Sequence, residues 1–236
     1  MQELRVKFIE NIKRTATVRS FRFIPQENIV FQAGQFLQLI FDPANRANND
    51  LNKYLSFSSA PGKGYFEVTK RLSESNFSKQ LRSLKPGDEV LVKVPLGSCA
   101  FKEEYQRIAF LIGGIGITPV IAIIEHIAAR KIATDTVLIY SNRTEEEIAF
   151  KKELDSWQVD NKNIKIFYTV SDSLPRDNRY IRGRIDKELL SVRLPDIKER
   201  IIFIFGPPKM VEAMQQLCLG LGCNKEKIKT ESFLGY

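Results

Sequence analysis

The sequence predicts a two-part fold: an antiparallel β-barrel over residues 1–103, followed by a parallel α/β domain over residues 104–236. Three observations predict it. The first hundred residues contain many short runs rich in β-branched and aromatic residues, separated by turn signals. Beyond Lys102 the runs become apolar throughout and alternate with helical stretches. A length of 236 residues is enough for two ordinary domains.

The barrel part is predicted from five strand-like runs, which are LRVKFIENI, TVRSFRFIP, QFLQLIF, YFEVTKRL and EVLVKVPLG. Turn signals at Pro25, Gly34, PGKG and KPGD separate them. One helical stretch, NFSKQLRSL, places Phe77, Leu81 and Leu84 at helical spacing. Many short strands with frequent turns are typical of a small antiparallel barrel.

The second part is predicted from four apolar runs, which are RIAFLI, DTVLIYS, IKIFYTV and RIIFIFG. Helical patterns cover residues 118–130, 145–156 and 207–221 between or after them. Strands that are apolar on both faces indicate a parallel sheet covered by helices on each side.

The stretch FLIGGIGITPVIAIIEH, residues 110–126, overlaps an uncharged run from Ile108 to Ile124 that is close to the length of a membrane span. Its glycines and proline instead indicate a strand, a turn and a helix, with Thr118 as N-cap and Pro119 at the first helical position. A glycine-rich turn before a helix lets backbone N–H groups approach a phosphate. A second such turn follows the last strand, where Gly206 precedes Pro207 and Pro208. The alternative reading of these glycines is tight packing.

Composition and charge exclude several functions. The N-terminus has charges throughout, so it is not a signal peptide, and three cysteines are too few for a disulfide framework or an iron–sulfur cluster. We therefore expect a cytoplasmic protein. The net charge is +8, of which residues 1–103 contribute +6, but no basic run with interleaved aromatics indicates nucleic acid. A bound polyphosphate, an acidic protein partner and a plain solvated surface remain open.

Taken together, the motifs resemble the ferredoxin–NADP reductase superfamily. The resemblance is carried, in order, by AGQFLQLIF, KYLSFSSAP, ESNFSKQLRSLKPGDEVLVKVPLGS, GGIGITP, GPPKM and the terminal TESFLGY. It implies an FAD-dependent NAD(P)H oxidoreductase that passes a hydride from nicotinamide to flavin and electrons to a further acceptor. The implied acceptor is an acidic carrier protein of the ferredoxin or flavodoxin type, or a partner subunit.

The resemblance also implies the residues of the flavin site. An Arg-x-Tyr-Ser/Thr segment becomes Lys53, Tyr54, Leu55 and Ser56, so the arginine fork and the stacking aromatic are both replaced. Strand alternation predicts that Tyr54 points to the other face. Two further segments are expected at the ribityl chain and pyrophosphate, and they consist of Val68, Thr69 and Lys70, and of Ser75, Asn76, Phe77 and Ser78. For Ser75 alone, simple helix capping is the alternative.

For the nicotinamide dinucleotide, the implied residues flank the two glycine turns and are Gly113, Gly114, Gly116, Thr118, Gly206, Pro207, Pro208 and Met210. Thr118 is expected beside the flavin as well. Phe205 stands where many relatives have cysteine. Glu231 and Phe233 are the implied catalytic residues with Ser56, and Phe233 or Tyr236 would cover the flavin. Because they lie near a terminus, deleting residues 231–236 is expected to leave the melting temperature nearly unchanged.

The donor is predicted to be NADH. Ser171 and Asp172 stand where NADP-using relatives carry Ser-Arg, and a carboxylate repels a 2′-phosphate. The opposing observation is a set of nearby arginines that could reach such a phosphate, namely Arg143, Arg176, Arg179, Arg182 and Arg184. The single histidine, His126, is predicted to be structural or exposed to solvent, and we predict no metal site.

Three other functions stay open at this point. A reductase that treats flavin as a diffusing substrate is favoured by the replacements at Lys53 and Leu55. An electron-transfer subunit with little activity alone is favoured by the missing cluster ligands and the basic first part. A nucleotide-binding module without redox chemistry is the weakest of the three.

Overall fold

A computed structural model describes residues 2–175 and 177–233. The chain forms two compact units, one made of residues up to Phe101 with Thr118–His126, and the other of Lys102–Ile117 with the residues from Ile127 onward. The predicted domain boundary after residue 103 remains a prediction. No helix in the described ranges is both long and apolar enough to cross a membrane.

The first unit contains a six-stranded antiparallel sheet, in the order β4-β3-β6-β1-β2-β5. Its elements are β1 Gln2–Lys13, β2 Val18–Pro25, β3 Phe36–Ile40, β4 Asn52–Ser56, β5 Phe66–Arg71, α1 Asn76–Ser83 and β6 Glu89–Leu96. The two edges nearly close, because Phe57 bridges to Val68 and the Ser58 N–H donates to the Glu67 carbonyl at 2.7 Å. The predicted antiparallel barrel is confirmed as this nearly closed sheet.

Alternating side chains build the barrel interior. Leu4, Val6 and Phe8 on β1 are buried while their neighbours are exposed, which is the period of a half-buried strand. Aromatic rings fill the centre, with Phe23 stacked on Phe66 at 5.5 Å between ring centroids. Each fully buried side chain of this size stabilises the fold by about 1.5–3 kcal/mol.

A polar network ties β2, β5 and the segment after β4 together. The Glu67 carboxylate accepts from Arg14 at 2.7 Å and from Arg22 at 3.1 Å. Arg14 also donates through Nε to the Ser20 hydroxyl at 2.7 Å, and the Thr69 hydroxyl bonds both Ser20 and Ser58 at 2.7 Å. A buried network of this kind favours one arrangement of the strands, although the Arg22 Nε is left without a hydrogen-bond partner among the described residues.

The second unit contains a six-stranded sheet in the order β10-β9-β8-β7-β11-β12, with every pair parallel. Its strands are β7 Arg107–Gly113, β8 Asp135–Asn142, β9 Ile164–Val170, β10 Tyr180–Arg182, β11 Ile201–Gly206 and β12 Ile228–Ser232. The helices that follow β7 in the chain are α2 Ile117–Arg130, of which Thr118–His126 belongs to the first unit, α3 Lys151–Asp160, α4 Lys187–Arg193 and α5 Pro208–Gly220. The predicted parallel α/β part is confirmed; β10, β12 and α4 were not predicted.

Two local predictions were wrong. The single helix over 145–156 is instead a 3₁₀ turn, Glu145–Glu147, and α3, because buried Ile148–Phe150 lies between them and Phe150 has a left-handed φ of 61°. Thr118 is not an N-cap. A 3₁₀ turn over Gly114–Gly116 runs directly into α2, whose N-cap is Gly116, so Thr118 lies buried inside the first turn.

Candidate functional site

Two lysines form a positive cluster on the barrel unit. Burial lowers the pKa of the Lys70 ammonium, and repulsion from the Lys53 ammonium lowers it further. Within the described part of the chain, neither lysine has a carboxylate partner. Two neighbouring, half-buried cations are stabilised when an anion binds between or beside them.

Helix α1 offers a second group of anion-binding donors. Ser75 has extended backbone and caps the helix, because its hydroxyl accepts from the Ser78 N–H at 3.3 Å. The Asn76 and Phe77 N–H groups donate to no acceptor among the described residues, so they remain available at the positive end of the helix. The alternative reading of Ser75 as a cap is thus correct, and it leaves the predicted amide donors in place.

Strand β4 presents its predicted residues on two faces. Lys53 and Leu55 pair in register with core residues of β3, and Leu55 packs against the barrel core. Tyr54 points the other way and is 62% exposed, with its ring edge-on to Phe36 at 5.8 Å. The predicted orientation of Tyr54 is confirmed, and the ring is separated by the strand from Lys53 and Leu55. Ser56 is buried at the strand end.

Three other predicted flavin residues have buried side chains, although Thr69 lies on the opposite face of β5 from Val68. Val68 and Phe77 belong to the hydrophobic core, and the Thr69 hydroxyl is engaged by Ser20 and Ser58. Because these side chains are already engaged, only the backbone atoms of the three residues are available for the predicted contacts with the flavin. Lysine ammonium groups and helix N–H donors are the chemistry that a diphosphate requires, so the barrel residues fit FAD.

The two glycine turns of the second unit meet. A Cβ at Gly116 would lie 2.5 Å from the Phe205 carbonyl oxygen and 2.8 Å from the Gly206 nitrogen. A Cβ at Gly113 would overlap the Met210 sulfur. Gly114 has a φ of 52°, in the left-handed region that favours glycine. Tight packing, the alternative reading of these glycines, is therefore present, and the same packing joins the two predicted halves of the dinucleotide site.

The second turn opens helix α5 as predicted. Pro207 is its N-cap and Pro208 its first residue, while the Met210 N–H donates to the Pro207 carbonyl at 2.9 Å. Phe205, where relatives have cysteine, is fully buried and contributes no reactive group.

The catalytic candidates near the C-terminus belong to a strand. Glu231 lies on β12 and pairs in register with Phe205 on β11. Phe233 directly follows the strand, and its N–H donates to the Gly206 carbonyl at 3.0 Å. Deletion of residues 231–236 was expected to leave the melting temperature nearly unchanged because these residues lie near a terminus. The structure contradicts that reason, since the deletion would remove the end of β12. Both side chains are half-buried at the strand end next to the second glycine turn. Tyr236 lies outside the described residues.

Asp172 and Arg143 adjoin at the ends of β9 and β8. The Asp172 N–H donates to the Arg143 carbonyl at 2.8 Å, and both side chains are exposed. Asp172 accepts from the Ser171 hydroxyl at 2.7 Å. Arg179 is held by Asp177 through bonds of 2.6 and 2.9 Å, and Arg176 lies outside the described residues. Of the arginines that could oppose Asp172, Arg143 is the one in direct backbone contact with it.

Sequence reasoning overlooked several residues around these groups. Arg14, Ser20 and Ser58 hold Thr69, but they lie 11 to 55 residues from it in sequence and share no motif. Asn142 was also overlooked, although its position at the end of a predicted strand was a usable signal. His126 packs edge-on to Phe101 at 6.2 Å between ring centroids, which fits a structural role.

Comparison with known proteins finds two matching families. The family described as "Oxidoreductase FAD-binding domain" matches residues 3–101, and the one described as "Oxidoreductase NAD-binding domain" matches residues 110–216. Thus the barrel residues match the first family, and both glycine turns lie inside the second.

Individual proteins are similar over nearly the whole chain. NADH-cytochrome b5 reductase 1 of Aspergillus terreus is 30% identical over 214 residues, covering 86% of this chain and 71% of that protein. NADH-cytochrome b5 reductase 1 of Dictyostelium discoideum is 30% identical over 235 residues, covering 97% and 80%. The flavohaem-like FAD/NAD-binding domain of a Vibrio cholerae nitric oxide dioxygenase has a TM-score of 0.83 at 20% identity, covers 98% of both chains, and shares the fold.

Proposed function

Because this chain belongs to the ferredoxin–NADP reductase superfamily, we propose that it takes electrons from NADH and delivers them to a small acidic haem protein. The chain is an FAD-dependent NAD(P)H oxidoreductase, since it carries an FAD-binding and an NAD-binding oxidoreductase domain. The observation that carries the proposed acceptor is that the relatives are named for cytochrome b5. FAD binding is supported by the Lys53–Lys70 cluster, which has no carboxylate partner in the described chain and fits a diphosphate.

On the barrel unit, Lys53, Lys70 and the α1 N–H groups would hold the FAD diphosphate. Bound FAD supplies the hydride acceptor and passes on the electrons. Ser56 would donate a hydrogen bond to the flavin ring, and Leu55 would give it an apolar contact without the extra attraction of an aromatic ring. The weaker hold at Leu55 favours one second candidate, a reductase that releases its flavin.

On the second unit, the glycine turn over Gly113–Gly116 and the start of α5 would hold the nicotinamide half of the donor. Glu231 and Phe233 would lie at the reacting end of the bound donor, where a carboxylate can handle a proton. The place of Glu231 on β12 and the bond from the Phe233 N–H to the Gly206 carbonyl support this role, because a strand positions side chains more precisely than a free terminus does.

NADH as donor is supported by two observations. Asp172 presents an exposed carboxylate at the end of β9, and a carboxylate accepts bonds from ribose hydroxyls while it repels a phosphate. The relatives from Aspergillus terreus and Dictyostelium discoideum are both named for NADH.

The acceptor is proposed from the same relatives and from charge. They are named for cytochrome b5 rather than for ferredoxin or flavodoxin, so a small haem protein replaces the iron–sulfur and flavin carriers as first candidate. A net charge of +8 attracts an acidic partner over a Debye length of about 8–10 Å.

The test is an anaerobic absorption spectrum of the purified protein before and after NADH, followed by addition of cytochrome b5, a ferredoxin or a flavodoxin. We expect stoichiometric FAD, complete bleaching by NADH and fastest reduction of cytochrome b5. Lys53→Gln combined with Lys70→Gln should lose FAD, while the matched control Lys79→Gln, an exposed lysine on α1, should retain it.

Each rival has its own outcome. A colourless protein that reduces added flavin identifies the free-flavin reductase. A yellow protein that is bleached by NADH but reduces no carrier identifies an electron-transfer subunit that needs a partner. A protein that binds NADH without any flavin reduction contradicts the redox function itself.

A further inference from the structure

Asn142, the last residue of β8, carries a side-chain amide with open hydrogen-bonding capacity. The residue is only 5% exposed, yet neither its Oδ1 nor its Nδ2 has a hydrogen-bond partner within the described part of the chain. A buried amide left without partners destabilises a fold, so native proteins rarely retain one without a use. The flanking backbone, in contrast, is satisfied, because the Asn142 carbonyl accepts from the Ser171 N–H at 3.1 Å.

The amide lies on the side of the sheet where the first glycine turn runs. Side chains two residues apart on a strand share a face, so Asn142 lies on the face of Tyr140 and one step nearer the carboxyl edge. The Tyr140 hydroxyl donates to the Gly114 carbonyl at 3.0 Å, which places the glycine turn over this face. Asn142 thus adjoins the glycine turn on one side and Ser171–Asp172 on the other. Ligands of open parallel sheets bind at this edge.

The chemistry of the amide selects the group that it can bind. Oδ1 only accepts and Nδ2 only donates, so a phosphate, which only accepts, would leave Oδ1 without a donor. A pair of ribose hydroxyls both donates and accepts, and it satisfies both atoms. We propose that the Asn142 carboxamide binds the ribose diol in the adenosine half of the nicotinamide dinucleotide. This inference rests on the proposed function, in which Asp172 lies at the same ribose.

The test compares AMP with 2′,3′-dideoxy-AMP, which lacks both ribose hydroxyls, by calorimetric titration of the FAD-loaded protein. In Asn142→Leu, a near-isosteric change, we expect the Kd for AMP to rise about tenfold and that for the dideoxy nucleotide to change less than twofold. The melting temperature should rise, because a buried amide without partners is removed. Asn142→Ala is the second variant, for the case that leucine does not fit at this position, and it should show the same loss of AMP binding.

Thr169→Val is the matched control. The Thr169 hydroxyl is also fully buried without a partner, but it lies on β9 in register with Ser141, on the opposite face of the sheet. Its replacement should raise the melting temperature and leave the Kd for AMP unchanged.

Two sets of outcomes separate this inference from the proposed function. If the parent binds NADH and AMP while both Asn142 variants bind AMP equally well, the assignment of Asn142 is overturned. An equal loss for AMP and dideoxy-AMP overturns the ribose as its ligand, and a loss confined to nicotinamide mononucleotide places the amide at the other half. A parent that binds neither NADH nor AMP overturns the proposed function instead.

Discussion

Lys70 holds its positive charge in surroundings that disfavour it. Burial lowers its pKa, and the Lys53 ammonium lowers it further. An anion bound beside it would favour the charged form and raise the pKa again. The protein would then take up a proton on binding FAD in the pH range between the lowered and the raised value. Affinity is therefore highest below this range and falls as the pH rises through it.

We predict that the Kd of the apoprotein for FAD rises as the pH increases through the lowered pKa of Lys70, because the ammonium loses its proton below the ordinary lysine pKa of 10.5. Lys70→Arg should bind FAD with little pH dependence, because arginine stays charged. Lys70→Gln should bind weakly at every pH. Fluorescence titration with FAD measures all three, and a flat profile for the parent would show that Lys70 is remote from the diphosphate.

Asp172 and Arg143 exert opposite effects on a 2′-phosphate. At about 4 Å and an effective dielectric constant of about 20, two unit charges interact by roughly 4 kcal/mol, and solvent screening of exposed groups reduces this several-fold. A remaining ~1.4 kcal/mol is a factor of about ten in affinity. Both side chains are exposed at strand ends. We expect Asp172 to have the larger effect, because its carboxylate can also accept hydrogen bonds from the ribose hydroxyls of NADH.

The prediction is that the parent has a higher kcat/KM with NADH than with NADPH, and that Asp172→Arg moves the ratio toward NADPH by at least about tenfold. Glu188→Arg, the same charge change at an exposed carboxylate of α4, controls for net charge and should leave the ratio unchanged. Steady-state kinetics at low salt measures the ratio. A parent that prefers NADPH would show that Arg143 dominates at the 2′ position of the ribose and that Asp172 does not.

At the scale of elements, the two strand-to-helix turns of the second unit depend on the absence of side chains. Gly116 lies against the backbone of Phe205 and Gly206, and backbone atoms cannot move aside as a flexible side chain can. Gly220, the last residue of α5, has open space around its Cβ position. The two glycines therefore differ in physical role although both adjoin a helix.

We predict that Gly116→Ala lowers the free energy of unfolding by about 1–3 kcal/mol, as overpacking of a tight site does, and weakens NADH binding. Gly220→Ala should be neutral or should stabilise by up to about 1 kcal/mol, because alanine has the higher helix propensity. Urea denaturation and NADH titration of both variants are the measurements. Equal stability of Gly116→Ala and the parent would contradict the close approach of the two turns.

At the scale of the whole molecule, the excess positive charge is concentrated in the first part of the chain. Residues 1–103 carry +6 of the net +8. Such a field accelerates encounter with an acidic carrier protein at low salt, and added salt screens it. Encounter with a neutral acceptor is unaffected by this field.

The resulting prediction is that kcat/KM for cytochrome b5 falls about tenfold between roughly 10 and 300 mM salt. With a neutral quinone as acceptor, kcat/KM should change less than twofold, which controls for any effect of salt on NADH oxidation. Stopped-flow reduction of each acceptor provides the rates. Equal salt dependence for both acceptors would indicate that the charge excess is an ordinary solvated surface.

The sequence by itself determined the two-part fold and the order of the site motifs. Five of the six barrel strands, the four long apolar strands and the two glycine turns were predicted, because period and turn chemistry depend on residues a few positions apart; β4 was not among the predicted runs. The predicted helix over 145–156 is interrupted at Phe150, where burial of the side chain overrides the local helical pattern. The flavin and nicotinamide assignments came from motif order and remain predictions residue by residue.

The tertiary structure decided which of these residues meet. Lys53 and Lys70 become neighbours because β4 and β5 are the two edges of a nearly closed sheet, and the Thr69 hydroxyl meets Ser20 because β5 pairs with β2. Residues 228–232 became a strand only by pairing with β11, and the Asn142 amide is left without partners only once β8 and β9 are in register. Strand neighbours and register depend on contacts distant in sequence, whose closing entropy and packing no local pattern encodes.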